Sequence, residues 1–146
     1  MKEKVILLVE DNPNDRLLTI RALKRHNVAN GFVEAKDGQE ALDYLFGEGV
    51  HAGRDVAIQP QLVLLDLKLP KVDGLEVLQR MRAVERTRYV PVVMLTSSSE
   101  QQDIMSSYDF GANSYIRKPV DFDQFVEAAR QLGMYWLVLN EVPNAK

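Results

Sequence analysis

The 146-residue chain has no cysteine, which excludes disulfide bridges and thiolate metal sites and suits a reducing compartment. Long hydrophobic runs are missing as well. VILLV at 5–9 and MYWLVL at 134–139 fall far short of the roughly 18 apolar residues of a membrane span. Met-Lys-Glu-Lys leads straight into the first of these runs, leaving no room for a secretory signal. Nor is there a large excess of charge of one sign. Eighteen basic and 21 acidic side chains give a formal charge of -3, so no overall field draws the chain to nucleic acid or an anionic membrane. These absences predict a soluble, cytoplasmic protein with neither a nucleic-acid nor a membrane partner.

What is present fits one domain over residues 1–146, with apolar residues at 46% sufficient for a core. Val5–Val9, Leu62–Leu65 and Val92–Leu95 are short continuous apolar runs, the pattern of parallel strands covered on both faces. Weaker strands are expected at Phe32–Lys36 and Ser114–Arg117. Helix starts are signalled between them by Asn12-Pro13, by Asp37 with Glu40, by Asp73 with Glu76, by Ser98 with Gln101 and by Asp121 with Gln124. The result is an α/β chain: a doubly wound five-stranded parallel sheet with five helices, placed on both faces by right-handed crossovers.

Two regions lie outside that pattern. Residues 47–61 hold Gly47, Gly49, Gly53 and Pro60 with little apolar periodicity, which predicts a long exposed loop. The last helix carries Phe125, Ala129, Leu132, Trp136 and Leu139 at helical spacing, and Tyr135, Leu137 and Val138 make its final turns apolar nearly all round. An extended helix and tail from about 131 to 146 are expected. Because one core cannot bury every side, the breadth of this stripe favours a homodimer.

In open α/β sheets, ligands bind beyond the carboxyl ends of the strands, where strand order reverses. That rule selects Glu10 and Asp11 after the first strand, Asp66 after the third, Thr96 ending the fourth and Lys118 after the fifth. Three clustered carboxylates repel one another unless a proton or a cation intervenes. A hard divalent ion such as Mg²⁺, which prefers octahedral oxygen coordination, answers that need. Lys118 and the Thr96 hydroxyl would then serve a phosphoryl group attached to Asp66, a carboxylate placed to act as nucleophile. Each residue also has a plainer reading. Glu10-Asp11 and Thr96 could merely cap helices, Asp66 could be a strand-end turn residue, and Tyr115 could be a packing residue. His26 and His51 lack metal-ligand spacing and receive no role.

The motifs VEDN, LLDLKLPKVDG, VVMLTSSS and YIRKPV, in this order, resemble the receiver domain of two-component response regulators over about residues 4–130. The resemblance implies a flavodoxin-like sheet of strand order 2-1-3-4-5, with Asp66 as phosphoacceptor. It implies Mg²⁺ on Glu10, Asp11, Asp66 and the backbone carbonyl of Lys68, with Lys118 on the phosphate. Thr96 and Tyr115 match the family's switch pair, which alters the surface of the fourth helix, fifth strand and fifth helix. The family also has a cis proline where Pro119 stands. Glu10, longer than aspartate by a methylene, and Lys68, at a position that tunes dephosphorylation, depart from the commonest pattern. The loop before the third strand and the WLVLNEVP tail are similar to the response regulators that partner phytochromes. That narrower likeness implies a sensor histidine kinase, a light sensor among the candidates, as phosphodonor. It also implies a homodimer through the fifth strand and last helix, with no output domain and a signal that leaves by protein contacts.

A phosphohydrolase working through an aspartyl phosphate is the alternative. Such enzymes usually carry Asp-x-Asp, and here Lys68 replaces the second acid. A nucleotide- or flavin-binding module would want a glycine-rich loop after the first strand, where VEDNPND is acidic. A receiver-like scaffold without chemistry would lack a site residue, and none is missing.

Overall fold

Branched and apolar side chains in unbroken runs leave the chain no solvent face, and each of these runs becomes an inner strand. The computed structural model describes residues 5–25, 31–98 and 100–118, together with Asp121, Asp123 and Glu127. In chain order it contains β1 (Val5–Val9), α1 (Pro13–Arg25), β2 (Gly31–Ala35), α2 (Gly38–Phe46), a 3₁₀ turn at Gly49–His51, β3 (Leu62–Leu65), α3 (Gly74–Ala83), β4 (Val92–Thr96), α4 (Gln101–Asp109) and β5 (Ser114–Arg117). The five strands are all parallel, in the order β2-β1-β3-β4-β5. The fold is the flavodoxin-like one expected. Four of the five expected helices fall among the described residues. Of the fifth, only Asp123 and Glu127 are described, with Asp121 before them; Gln124 of the expected cap, Pro119 and the apolar tail lie outside the described residues.

Both faces of the sheet are covered. Leu7, Val9, Val63, Leu65, Val92 and Met94 join Leu42, Leu45, Leu78 and Met81 of α2 and α3 in one buried cluster. Ile6, Leu8, Leu62 and Leu64 alternate with them along β1 and β3 and are equally buried, as a period of two requires. Register carries the site. Val9 pairs with Ala35 and Leu65, and Thr96 pairs with Arg117, so residues following each strand emerge along one edge of the sheet.

The helix starts follow local chemistry. Asp37 Oδ1 accepts from the Glu40 N–H at 2.7 Å, Asp73 Oδ1 from the Glu76 N–H at 3.0 Å, and Asn12 Oδ1 from the Asp15 N–H at 3.0 Å. Ser98 does not cap α4 as its spacing predicted. The helix begins at Gln101, and no side chain caps it at Glu100. Ser98 sits too early, accepting from the Glu100 N–H while donating its hydroxyl to Asp103 within the helix.

The 47–61 segment is more organised than a glycine-rich loop suggests. Gly47 closes α2 in the left-handed region at φ 66°, where glycine pays no Cβ penalty. Arg54 lies 3.9 Å over the Tyr44 ring and donates to the carbonyls of Tyr44 and Ile58, each at 2.6 Å. Gln59 donates to the Leu45 carbonyl at 3.1 Å. Two side chains of the loop thereby satisfy carbonyls that the end of α2 leaves open.

Candidate functional site

β1 delivers Glu10, whose N–H donates to the Ala35 carbonyl at 3.0 Å, and β3 delivers Asp66, whose N–H donates to the Val9 carbonyl at 3.0 Å. Those two backbone bonds hold both acids at the carboxyl edge of the central strands. Their side chains are buried, at 3% and 7% exposure. Asp11 follows in the turn and is exposed. Carboxylate oxygens of Glu10, Asp11 and Asp66 lie within 4.8 Å of one another, a set of hard oxygen donors that could hold a divalent cation. Gly74 permits this arrangement, because a Cβ there would run into the Asp66 carbonyl oxygen.

Lys118 enters from β5, anchored by its N–H on the Thr96 carbonyl at 2.8 Å. Its ammonium donates to Glu10 Oε1 at 2.6 Å, Asp15 Oδ2 at 3.1 Å and Asp66 Oδ2 at 3.1 Å. Burial by itself would lower the lysine pKa. The bond to Glu10 and the charge of Asp66, joined by Asp15, outweigh it and hold the group above the ordinary lysine value. Burial pushes the Glu10 carboxyl up, and its bonds from Lys118 and the Asn12 N–H only partly oppose this. The site therefore has a fixed ammonium and a carboxyl reluctant to ionise. A cation among the acids would relieve that reluctance.

A second set of contacts runs behind the first. Thr96 is buried, and its hydroxyl accepts from the Ser98 N–H at 3.4 Å. Tyr115, partly buried on β5, donates its hydroxyl to the Ser98 carbonyl at 2.8 Å. Burial, with the charges of Asp103 and Asp66, raises the phenol pKa despite that bond.

Of the residues expected from sequence, the structure gathers Glu10, Asp11, Asp66 and Lys118. It sets Thr96 and Tyr115 about Ser98 and leaves the Lys68 side chain exposed. His51 belongs to neither group, packing edge-on to Tyr44 with Glu40 Oε2 at 3.8 Å. His26 lies outside the described residues. Sequence reasoning missed Asp15, whose partner Lys118 lies 103 residues away and which carries no local signal of that contact. It also missed Arg16, whose guanidinium fixes the Glu10 carbonyl at 2.7 Å while pairing with Glu34 at 3.2 Å.

Comparison with known proteins places this geometry. The family model of the response regulator receiver domain matches residues 6–130. The probable methanogenesis regulatory protein FilR2 of Methanothrix harundinacea is 41% identical over 139 residues, covering 95% of this chain and 87% of its own length. Response regulator Rcp1 of Synechocystis is 33% identical, covering 97% of this chain and 95% of its own. Rcp1 has also been solved in a Mn²⁺-bound form, with a TM-score of 0.75 and coverage of 96% and 99%. The bacteriophytochrome response regulator AtBRR is 52% identical with a TM-score of 0.85, covering 97% of this chain and all of that one. With the family matched over most of the sequence and the sheet order in agreement, the chain belongs to the response regulator receiver family of two-component signalling.

Proposed function

We propose that Asp66 is the phosphoacceptor and that Glu10, Asp11, Asp66 and the Lys68 carbonyl hold Mg²⁺ beside it. The observation that carries this reading is the Lys118 ammonium bridging the two buried carboxylates, Glu10 and Asp66, at the carboxyl edge of the sheet. An Asp66 oxygen attacks the phosphorus of a phosphohistidine on a sensor histidine kinase. The new P–O bond forms as the P–N bond breaks, and the imidazole leaves with its electron pair. Lys118 neutralises charge on the transferring oxygens, and the Thr96 hydroxyl donates to one of them. The metal, when bound, supplies further charge neutralisation among the acids. The three-carboxylate set fits such an ion, and the Mn²⁺-bound form of Rcp1 supports a divalent cation in a relative.

Phosphorylation then biases Thr96, Ser98 and Tyr115, and with them the surface of α4, β5 and the last helix. The protein works in the cytoplasm as a single receiver, catalysing only its own phosphorylation and dephosphorylation, and it signals through protein contacts. Near end-to-end matches to FilR2, Rcp1 and AtBRR support that reading. The relation to a bacteriophytochrome response regulator favours a phytochrome-class kinase as donor. The apolar stripe at 134–139 favours a homodimer through β5 and the last helix. The phosphohydrolase alternative gains nothing, because Lys68 occupies the position where a general acid would be required.

Incubation with Mg²⁺ and acetyl phosphate should yield an acid-labile phosphate that is absent in Asp66→Asn. Wild-type protein that stays unlabelled, or labelling that survives this substitution, refutes the assignment. Sedimentation with and without beryllofluoride tests the dimer, and a monomer in both states refutes it.

A further inference from the structure

We infer that Asp15 is a positioning residue for Lys118, holding the ammonium in place for phosphoryl transfer; this rests on the phosphoacceptor reading of Asp66. A lysine ammonium has three N–H donors, and here each meets a different carboxylate. Two of those carboxylates, Glu10 and Asp66, take part in the chemistry: one belongs to the metal set and the other becomes phosphorylated. Asp15 does neither. It stands in the first turn of α1, with its N–H held by Asn12 and its side chain 40% exposed.

An acid in a first helical turn is ordinarily explained by the helix dipole alone. That explanation requires no partner. Asp15 instead places Oδ2 3.1 Å from the Lys118 nitrogen, across 103 residues of sequence. When the Asp66 oxygen attacks phosphorus, the donor's P–O bond to acetate breaks and acetate departs with the electron pair. Asp66 then turns from a free carboxylate into a mixed anhydride, and the ammonium must move its bond to a phosphoryl oxygen. No proton leaves Lys118. Asp15 still accepts one of its N–H groups throughout, so the long, flexible side chain keeps a fixed point while its other bonds change.

Two variants separate this role from a plain charge effect. Asp15→Asn keeps an acceptor oxygen at the same reach and loses the charge, whereas Asp15→Ser loses the reach. Asp15→Ser should lower the maximal rate of labelling by acetyl phosphate about tenfold, with little change in the half-saturating donor concentration. Asp15→Asn should stay within about twofold of wild type, because the bond remains charge-assisted through the lysine. The ¹⁵N signal of the Lys118 ammonium, observed in the beryllofluoride-bound protein, should persist in Asp15→Asn and broaden away in Asp15→Ser. A wild-type rate in Asp15→Ser overturns the inference, and so does an Asp15→Asn variant as slow as Asp15→Ser, which would mean charge alone. The half-exposed position lets both variants fold, and their thermal midpoints check this. Failure of wild-type protein to label would instead refute the phosphoacceptor assignment.

Discussion

Tyr115 and Ser98 are joined across the end of the sheet, the phenol hydroxyl donating to the Ser98 carbonyl at 2.8 Å. The Ser98 N–H reaches the Thr96 hydroxyl, and the Ser98 hydroxyl reaches Asp103 on α4. One residue of the β4–α4 connection thus touches the buried hydroxyl that ends β4, the phenol of an aromatic residue on β5 and an acid on α4. Tyr115→Phe deletes the first of these bonds without altering the ring. Stability should fall by about 1 kcal/mol, the usual net value of one hydrogen bond. Labelling of Asp66 by acetyl phosphate should stay within about twofold of wild type, because the phenol bonds to Ser98 and not to the acids. The loss should appear downstream. Amide shifts along α4 on adding beryllofluoride and Mg²⁺ should shrink relative to wild type, which two-dimensional NMR would measure.

The raised Glu10 carboxyl has a definite consequence for metal-free protein. A group that binds its proton more tightly when folded contributes stability that is complete below its unfolded value, 4.5, and is lost as pH rises through the folded value. Glu10→Gln cannot ionise and escapes that loss. In chelator, wild type should therefore lose stability relative to Glu10→Gln from about pH 4.5 upward and level off once Glu10 is ionised. Saturating Mg²⁺ should reverse the order, since the ionised carboxylate gains a cation. Urea unfolding across pH, with and without the metal, checks both signs.

Gly74 links packing to chemistry. Its N–H donates to the Leu67 carbonyl at 2.9 Å, and a Cβ would collide with the Asp66 carbonyl. Both neighbours are backbone of the β3–α3 turn, so neither can move without displacing Asp66. Alanine elsewhere in a helix is favourable, but here the collision should prevail and cost about 2 kcal/mol. Gly74→Ala should also weaken Mg²⁺ binding, followed by calorimetric titration, because the displaced carboxylate belongs to the proposed metal set. A variant that binds Mg²⁺ as wild type does would mean the turn yields without disturbing Asp66.

The parts of this structure visible in sequence are those governed by near neighbours. β1, β3 and β5 have the residues expected of them; in β1 and β3 this is because branched apolar runs end sharply at Glu10 and Asp66, whereas β5, Ser-Tyr-Ile-Arg, carries only the weaker signal of Tyr115 and Ile116. β2 lies one residue earlier than expected, at Gly31–Ala35, since Lys36 carries no strand signal of its own beyond Glu34 and Ala35. The Asp37 and Asp73 caps were legible because donor and acceptor are three residues apart. Ser98 failed that rule because α4 begins at Gln101 with Glu100 at its cap position, so the Ser98 oxygen accepts from the Glu100 N–H and not from Gln101. Asp15 and Arg54 were opaque for a related reason. One acts on Lys118, 103 residues away, and the other on carbonyls about ten residues back, and carbonyl acceptors carry no side-chain signature.

Arg82 offers a contrast between a lesion of stability and a lesion of chemistry. It lies on α3, and its guanidinium donates to the carbonyls of Arg88, Val90 and Gly111 and to Asn113 Oδ1, at 2.7–3.1 Å. Asn113 Oδ1 in turn accepts from the Val92 N–H at 2.8 Å. The residue therefore ties the loop entering β4 to the loop entering β5, at the amino edge of the sheet, opposite the acids. Burial without a carboxylate among these partners lowers its pKa, yet the charge remains because an arginine cannot give up its proton near neutral pH. Arg82→Met would leave several carbonyls open and should cost about 3 kcal/mol, and lysine should restore little, since it lacks the planar fork. Mg²⁺ affinity of the folded fraction should be unchanged. Urea unfolding and calorimetric titration together distinguish this outcome from that of Gly74→Ala, in which stability and metal affinity fall together.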